Sequence, residues 1–152
     1  GELKLMLNPF LVNRALEKES QITTVYRVEG TQNTKILIDP KGNVKVNATS
    51  NCLYINCGPV DTSVKFYQKK IESGTLQNPQ LKAFDVNKSF VDKLRRDAVD
   101  QSLHRLSPNS PFVVDKTTGV DQFGLTRIQI QQLKDNIVQG SGRIMNILKI
   151  FK

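Results

Sequence analysis

The sequence predicts an α+β domain: an N-terminal helix, then a twisted antiparallel sheet of about four to five strands, with helices packed mainly on one face. Three observations carry this expectation. Between residues 23 and 57, β-branched and aromatic runs alternate with a period of two. On either side the apolar residues return to helical spacing, with cap residues in front of them. The length of 152 residues, 38% of them hydrophobic, suits one core, so 1–152 reads as a single domain.

LNPFLVNRALEKES predicts the first helix, within an N-terminal helical segment 1–20. Asn8 suits the N-cap and Pro9 the first helical position, and Leu11, Val12, Ala15 and Leu16 form one apolar stripe. TTVYRVEG, TKILID, NVKVNA and CLYINC then predict a meander of about four strands, with DPKGN as a hairpin turn. Alternation sends Val25, Arg27 and Glu29 to one face of the first strand, and Tyr26 and Val28 to the other. DTSVKFYQKKIESG predicts a second helix, capped by Asp61, buried through Val64, Tyr67 and Ile71, and ended by Gly74. LKAFDV predicts a fifth strand. NKSFVDKLRRDAVDQSLHRL predicts a third helix, capped by Asn87, with Phe90, Val91, Leu94 and Ala98 inward. FVVD reads as a short strand or extended segment. TRIQIQQLKDNIV predicts the last helix, opened by a Thr126–Gln129 capping box and buried through Ile130, Leu133 and Ile137.

The totals bound the function. Lys and Arg number 22 against 14 Asp and Glu, a net charge of +8, which points to a polyanion or an acidic protein as partner. No apolar run is long enough to span a bilayer, and no secretory signal pattern is present. The start GELKLM, without an initiator Met, suggests a domain excised from a longer chain. In an extended CLYINC, Cys52 and Cys57 lie about 16 Å apart, beyond disulfide reach, and read as small packed residues. One His and two Cys are too few for a zinc site, so neither metal nor cofactor is expected.

The sequence has no phosphate-binding glycine loop, no Gly-x-Ser-x-Gly elbow and no Cys/His dyad, and its carboxylates are scattered. A metal-independent ribonuclease needs less. RNA supplies its own 2′-hydroxyl nucleophile, and the protein supplies a base, an acid and positive charge for the phosphorane. Arg27 and Glu29 on one strand face are candidates for clamp and base, unless that face is simply solvated. Lys35 and Asn56 sit on neighbouring predicted strands. His104 is a candidate acid, or else a surface histidine at a helix end. Gln122, in GVDQFGL, is a candidate from a loop reaching the sheet, or part of a turn. Lys65, Lys69, Lys70, Lys93, Arg95, Arg96 and Arg105 line the outer faces of the second and third helices, where they suit a phosphate backbone or plain water. Gly-Ser-Gly at 140–142 offers a backbone anion nest with Ser141 at its centre, or a helix break. Seven Phe, three Tyr and no Trp leave few obvious platforms for stacked bases.

YRVEG, NTKILID followed by GNVKV, LYINCG running into a helix, KAFDV, SFVDKLR, VDQFGL and QGSG occur in that order. The order resembles the C-terminal toxin domains of bacterial polymorphic toxins of the contact-dependent growth inhibition and Rhs types, over residues about 23–142. The resemblance implies a domain delivered from a producing bacterium by a secreted or cell-surface parent protein. It would act in the target-cell cytoplasm, in some cases with a host cytoplasmic factor. A cognate immunity protein, expected to be acidic, would neutralise it. Many such domains cleave transfer RNA on the fold of barnase, EndoU, colicin and RelE ribonucleases, a helical part followed by an antiparallel sheet. The resemblance carries no catalytic residue over to this chain. VYRV also resembles the Tyr-Arg strand with which some ADP-ribosyltransferase and NAD-glycohydrolase toxins hold NAD, although no later Glu-x-Glu or Gln-x-Glu pair accompanies it. A non-catalytic module that docks on RNA or protein is the third reading.

Overall fold

A computed structural model describes residues 21–48, 52–114 and 119–147. The expected N-terminal helix lies outside these residues. The described elements are β1 (Ile22–Glu29), β2 (Ile36–Ile38), β3 (Val44–Val46), β4 (Leu53–Asn56), α1 (Val60–Ser73), β5 (Gln80–Asn87), α2 (Lys88–Asp97), β6 (Val99–Asp100), β7 (Phe112–Val113), β8 (Gln122–Leu125), α3 (Arg127–Asn136) and β9 (Arg143–Ile144). Short 3-10 turns occupy Thr31–Asn33 and Gln101–Leu103. The fold is α+β, as expected, but the main sheet has seven strands in the order β6-β7-β8-β4-β1-β5-β9. It is mixed, because β6 and β7 run parallel. No helix among the described residues is long and apolar enough to cross a membrane.

All five expected strands form, but not as a meander. β1 pairs with β5 along its whole length, from Ile22–Asn87 to Glu29–Gln80. It meets β4 at one register pair only, Tyr26–Asn56. β2 and β3 pair only with each other. Their hairpin turns at DPKGN, where the Asp39 carboxylate accepts the Lys41 and Asn43 amides, both at 2.9 Å. Those bonds to Asn43 and Lys41 hold the Asp39 carboxyl below its usual range. Ile36, Val44 and Val46 are buried while Leu37 and Lys45 are exposed, so the hairpin lays one face on the domain core.

The sheet has two differently covered faces. Val25, Phe84, Leu53, Ile55, Phe123 and Leu125 pack against Phe90, Val91 and Leu94 of α2 and Ile130 and Leu133 of α3. The Thr126–Gln129 capping box opens α3 as the sequence predicts. The opposite face carries Tyr26, Tyr54 and Gln122, and α1 covers part of it. Thus α2 and α3 lie on one face, in keeping with helices packed mainly on one side, and α1 lies on the other. The predicted third helix is also too long. It stops at Asp97; Ala98 is extended, and the Val99 amide joins the Pro111 carbonyl at 2.9 Å to begin β6. VDQFGL likewise gives an inner strand, β8, held between β4 and β7.

Candidate functional site

A cleft of about 910 Å³ opens on the face away from α2 and α3. Its floor is Tyr26 and Val28 of β1, Tyr54 and Asn56 of β4, and Gln122 of β8. Gln101 and Val114 stand at one side. Thr62, Lys65, Phe66, Lys69 and Glu72 of α1 form the other wall. Their spacing is one helical stripe. It is not the stripe expected from apolar residues: Val64 is buried, but Ile71 is 52% exposed, and Phe66 turns to the cleft.

Asn56 positions that wall. Its amide nitrogen donates to Ser63 Oγ at 2.7 Å and to the Pro59 carbonyl, and its oxygen accepts the Gly58 amide at 2.8 Å. The end of β4 is thereby tied to the first turn of α1. Asn56 borders the cleft as expected, but as a joint whose polar atoms are already engaged.

Arg27 and Glu29 lie on the same face, as alternation requires, and that face is the core side. Glu29 is 3% exposed. Its carboxylate accepts Arg27 Nε at 2.7 Å, Lys82 Nζ at 2.9 Å, and the Lys35 and Ile36 amides at 3.0 and 3.2 Å. Lys82 also donates to the Ile36 carbonyl at 2.6 Å. Glu29 is therefore the buried tie between sheet and hairpin, its carboxylate already engaged by two cations and two amides. Arg27 borders the cleft, where β1 and β4 separate, but its guanidinium bridges that gap by donating to the Tyr54 carbonyl at 2.9 Å. Lys35 serves this tie through its backbone and does not line the cleft.

His104 follows a 3-10 turn rather than ending a long helix. Its ring packs on Phe112 with centroids 4.4 Å apart, and Phe112 meets Tyr54 nearly edge-on at 6.1 Å and 81°. His104 Nδ1 is buried there without a hydrogen-bond partner among the described residues. His104 thus stands behind the cleft, as backing to an aromatic row. Gly124 makes the row possible, since it faces both Tyr54 and Phe112 across the strands, and a Cβ there would lie 2.1 Å from Phe112 Cζ. Gly124→Ala is expected to cost about 1–3 kcal/mol and to displace Phe112. Urea unfolding and near-ultraviolet circular dichroism check this.

The other expected residues divide. Lys69 lines the cleft with Lys65, and among the described residues neither has an ion-pair partner. Lys70 lies over the Phe66 ring, 5.1 Å from its centroid. Lys93, Arg95 and Arg96 are on α2, across the sheet from Lys65, Lys69 and Lys70. Arg95 grips Asp121 at 2.9 Å and Asp92 at 3.0 Å, and the Asp121 hydrogen bond raises its pKa. The Gly140–Gly142 amides form no anion nest: Gly140 and Gly142 both donate to the Gly42 carbonyl, at 3.1 and 2.7 Å, and Ser141 to the Val138 carbonyl. Ser141 Oγ accepts the Asp85 amide at 2.9 Å and does not line the cleft.

Sequence reasoning missed Tyr26, Tyr54, Phe66 and Glu72. Two of the three tyrosines face one cleft, which composition does not reveal. Partial burial, and then Cys52, raise the Tyr54 pKa, so its phenol is neutral at pH 7. Among the described residues, Glu72 is the one carboxylate lining the cleft. Both cysteines are free, and burial pushes the Cys57 thiol up to about 12. Among the described residues, no group of three or more His, Cys, Asp or Glu side chains is placed to hold a metal ion. Comparison with protein-family models, with curated proteins and with solved structures finds no match to this chain.

Proposed function

We propose that this chain is a toxin domain of the polymorphic type that cleaves RNA, with transfer RNA as its target, in the cleft above β1, β4 and β8. The observation that carries the reading is the pair of cations, Lys65 and Lys69, without ion-pair partners among the described residues, on one helical stripe facing a floor of two tyrosines. In this reading the lysines hold phosphate and take up charge as the phosphorane forms. Glu72, on the same wall, takes the 2′-hydroxyl proton. Tyr54, neutral at pH 7, donates a proton to the leaving 5′-oxygen. The net charge of +8 supports a nucleic-acid substrate and an acidic immunity protein that covers the same surface. Delivery from a producing cell and action in the target cytoplasm belong to the same proposal.

The test is incubation of purified protein with transfer RNA in EDTA, with gels for RNA and an assay for NAD. Cleavage leaving 2′,3′-cyclic phosphate ends is the expected result. Intact RNA with loss of NAD would transfer the cleft to NAD chemistry, and intact RNA and NAD would leave a docking module. The Lys65→Ala, Lys69→Ala double variant is expected to bind RNA more weakly. The slope of log affinity against log salt should become shallower by about 1.4, the share of two phosphate contacts on a single strand.

A further inference from the structure

We infer that Tyr54 is the stacking platform for one unstacked nucleobase, so that the cleft takes a single-stranded RNA segment and rejects a duplex; this rests on reading the cleft as an RNA site. Tyr54 is 45% exposed, yet its ring is not left to find its own position. Phe112, 2% exposed, braces it edge-on, and His104 braces Phe112 from behind. Such a row spends three rings and a glycine to hold one aromatic surface open to water. An aromatic fixed in this way offers a base stacking area with little loss of side-chain freedom. Phe66, 47% exposed on α1, and Tyr26 on β1 border the same space. Gln101 also borders it, and an amide side chain suits the edge of a base once it leaves its stack. Lys65 and Lys69, one helical turn apart, lie along the wall where a strand's phosphates would run. The volume is that of a small-ligand pocket, room for about one or two nucleotides. Bases in an A-form duplex are stacked and paired, and so closed to Tyr54.

The experiment measures fluorescence anisotropy of a labelled 2′-O-methyl RNA strand, which lacks the attacking hydroxyl, beside the same strand annealed to its complement. The single strand is expected to bind at least about tenfold tighter, and Tyr54→Ala to weaken it roughly 5- to 150-fold. Tyr54→Phe keeps the ring and should restore most of the affinity. Phe66→Ala, at an exposed position, should also weaken the single strand, and it serves if thermal melting shows Tyr54→Ala unfolded. Equal binding of strand and duplex overturns the inference, as does a folded Tyr54→Ala with unchanged affinity. Single-strand binding without transfer RNA cleavage would remove the ribonuclease reading and leave the platform. Cleavage with no effect of Tyr54→Ala or Phe66→Ala on binding would do the reverse. No RNA binding at all would remove both.

Discussion

Glu29→Ala is expected to cost about 3–5 kcal/mol of folding stability, the usual loss when one member of a buried ionic set is removed. The side chains of Arg27 and Lys82 are 11% and 7% exposed, so both cations would stay out of water without their counter-ion. The Lys35 and Ile36 amides would lose their acceptor at the same time. Ile36, 0% exposed, hangs on those amides and carries the hairpin into the core. The loss should therefore reach beyond the charges. In a domain of this size it corresponds to a fall of about 10 °C in Tm. Urea and thermal unfolding followed by circular dichroism measure it. A loss below about 1 kcal/mol would class the set with surface ion pairs and refute the tie. Glu29→Gln keeps the shape but not the charge and should fall between Ala and the wild type.

The same residues mark how far the sequence was legible. Alternation placed Val25, Arg27 and Glu29 on one face correctly. It did not say that this face is the core, because the cation that balances the buried carboxylate, Lys82, comes 53 residues later. The DPKGN turn was legible from its residue types, since Asp39 and Gly42 act within five residues. Where the hairpin goes was not, since Ile36, Val44 and Val46 serve equally well in a sheet extension or folded onto its face. The bonds from Lys35 and Ile36 to Glu29 favour the second. Strands β6, β7 and β9 have two residues each, too few for a period of two to be seen. The cleft was hidden for a related reason. Its aromatic and polar residues come from β1, β4, β8 and α1, and no local pattern joins Tyr26, Tyr54 and Phe66. The charged pair on β1 is visible in one strand, while the cleft lies on the opposite face, above Tyr26 and Val28.

That shift of face moves the expected base from Glu29 to Glu72 and yields the largest kinetic prediction. Glu72→Gln is expected to lower kcat for RNA cleavage by about 10²–10⁴-fold, the contribution of a positioned general base. Gln has nearly the same shape and still makes hydrogen bonds, but it cannot accept a proton from a 2′-hydroxyl. Glu72 is exposed on α1 and in no ion pair among the described residues, so its replacement should leave Tm within a degree or two. KM should change little, because in the proposed reading the phosphates are held by the lysines of the same wall, which both proteins keep. Glu29→Gln supplies the contrast: assayed well below its own Tm, it should cleave at close to the wild-type rate. A Glu72→Gln protein with full activity would take the base away from α1. If Glu29→Gln instead lost activity while still folded, the buried tie would have to reach the chemistry through Arg27 and the Tyr54 carbonyl, which link that network to the cleft floor.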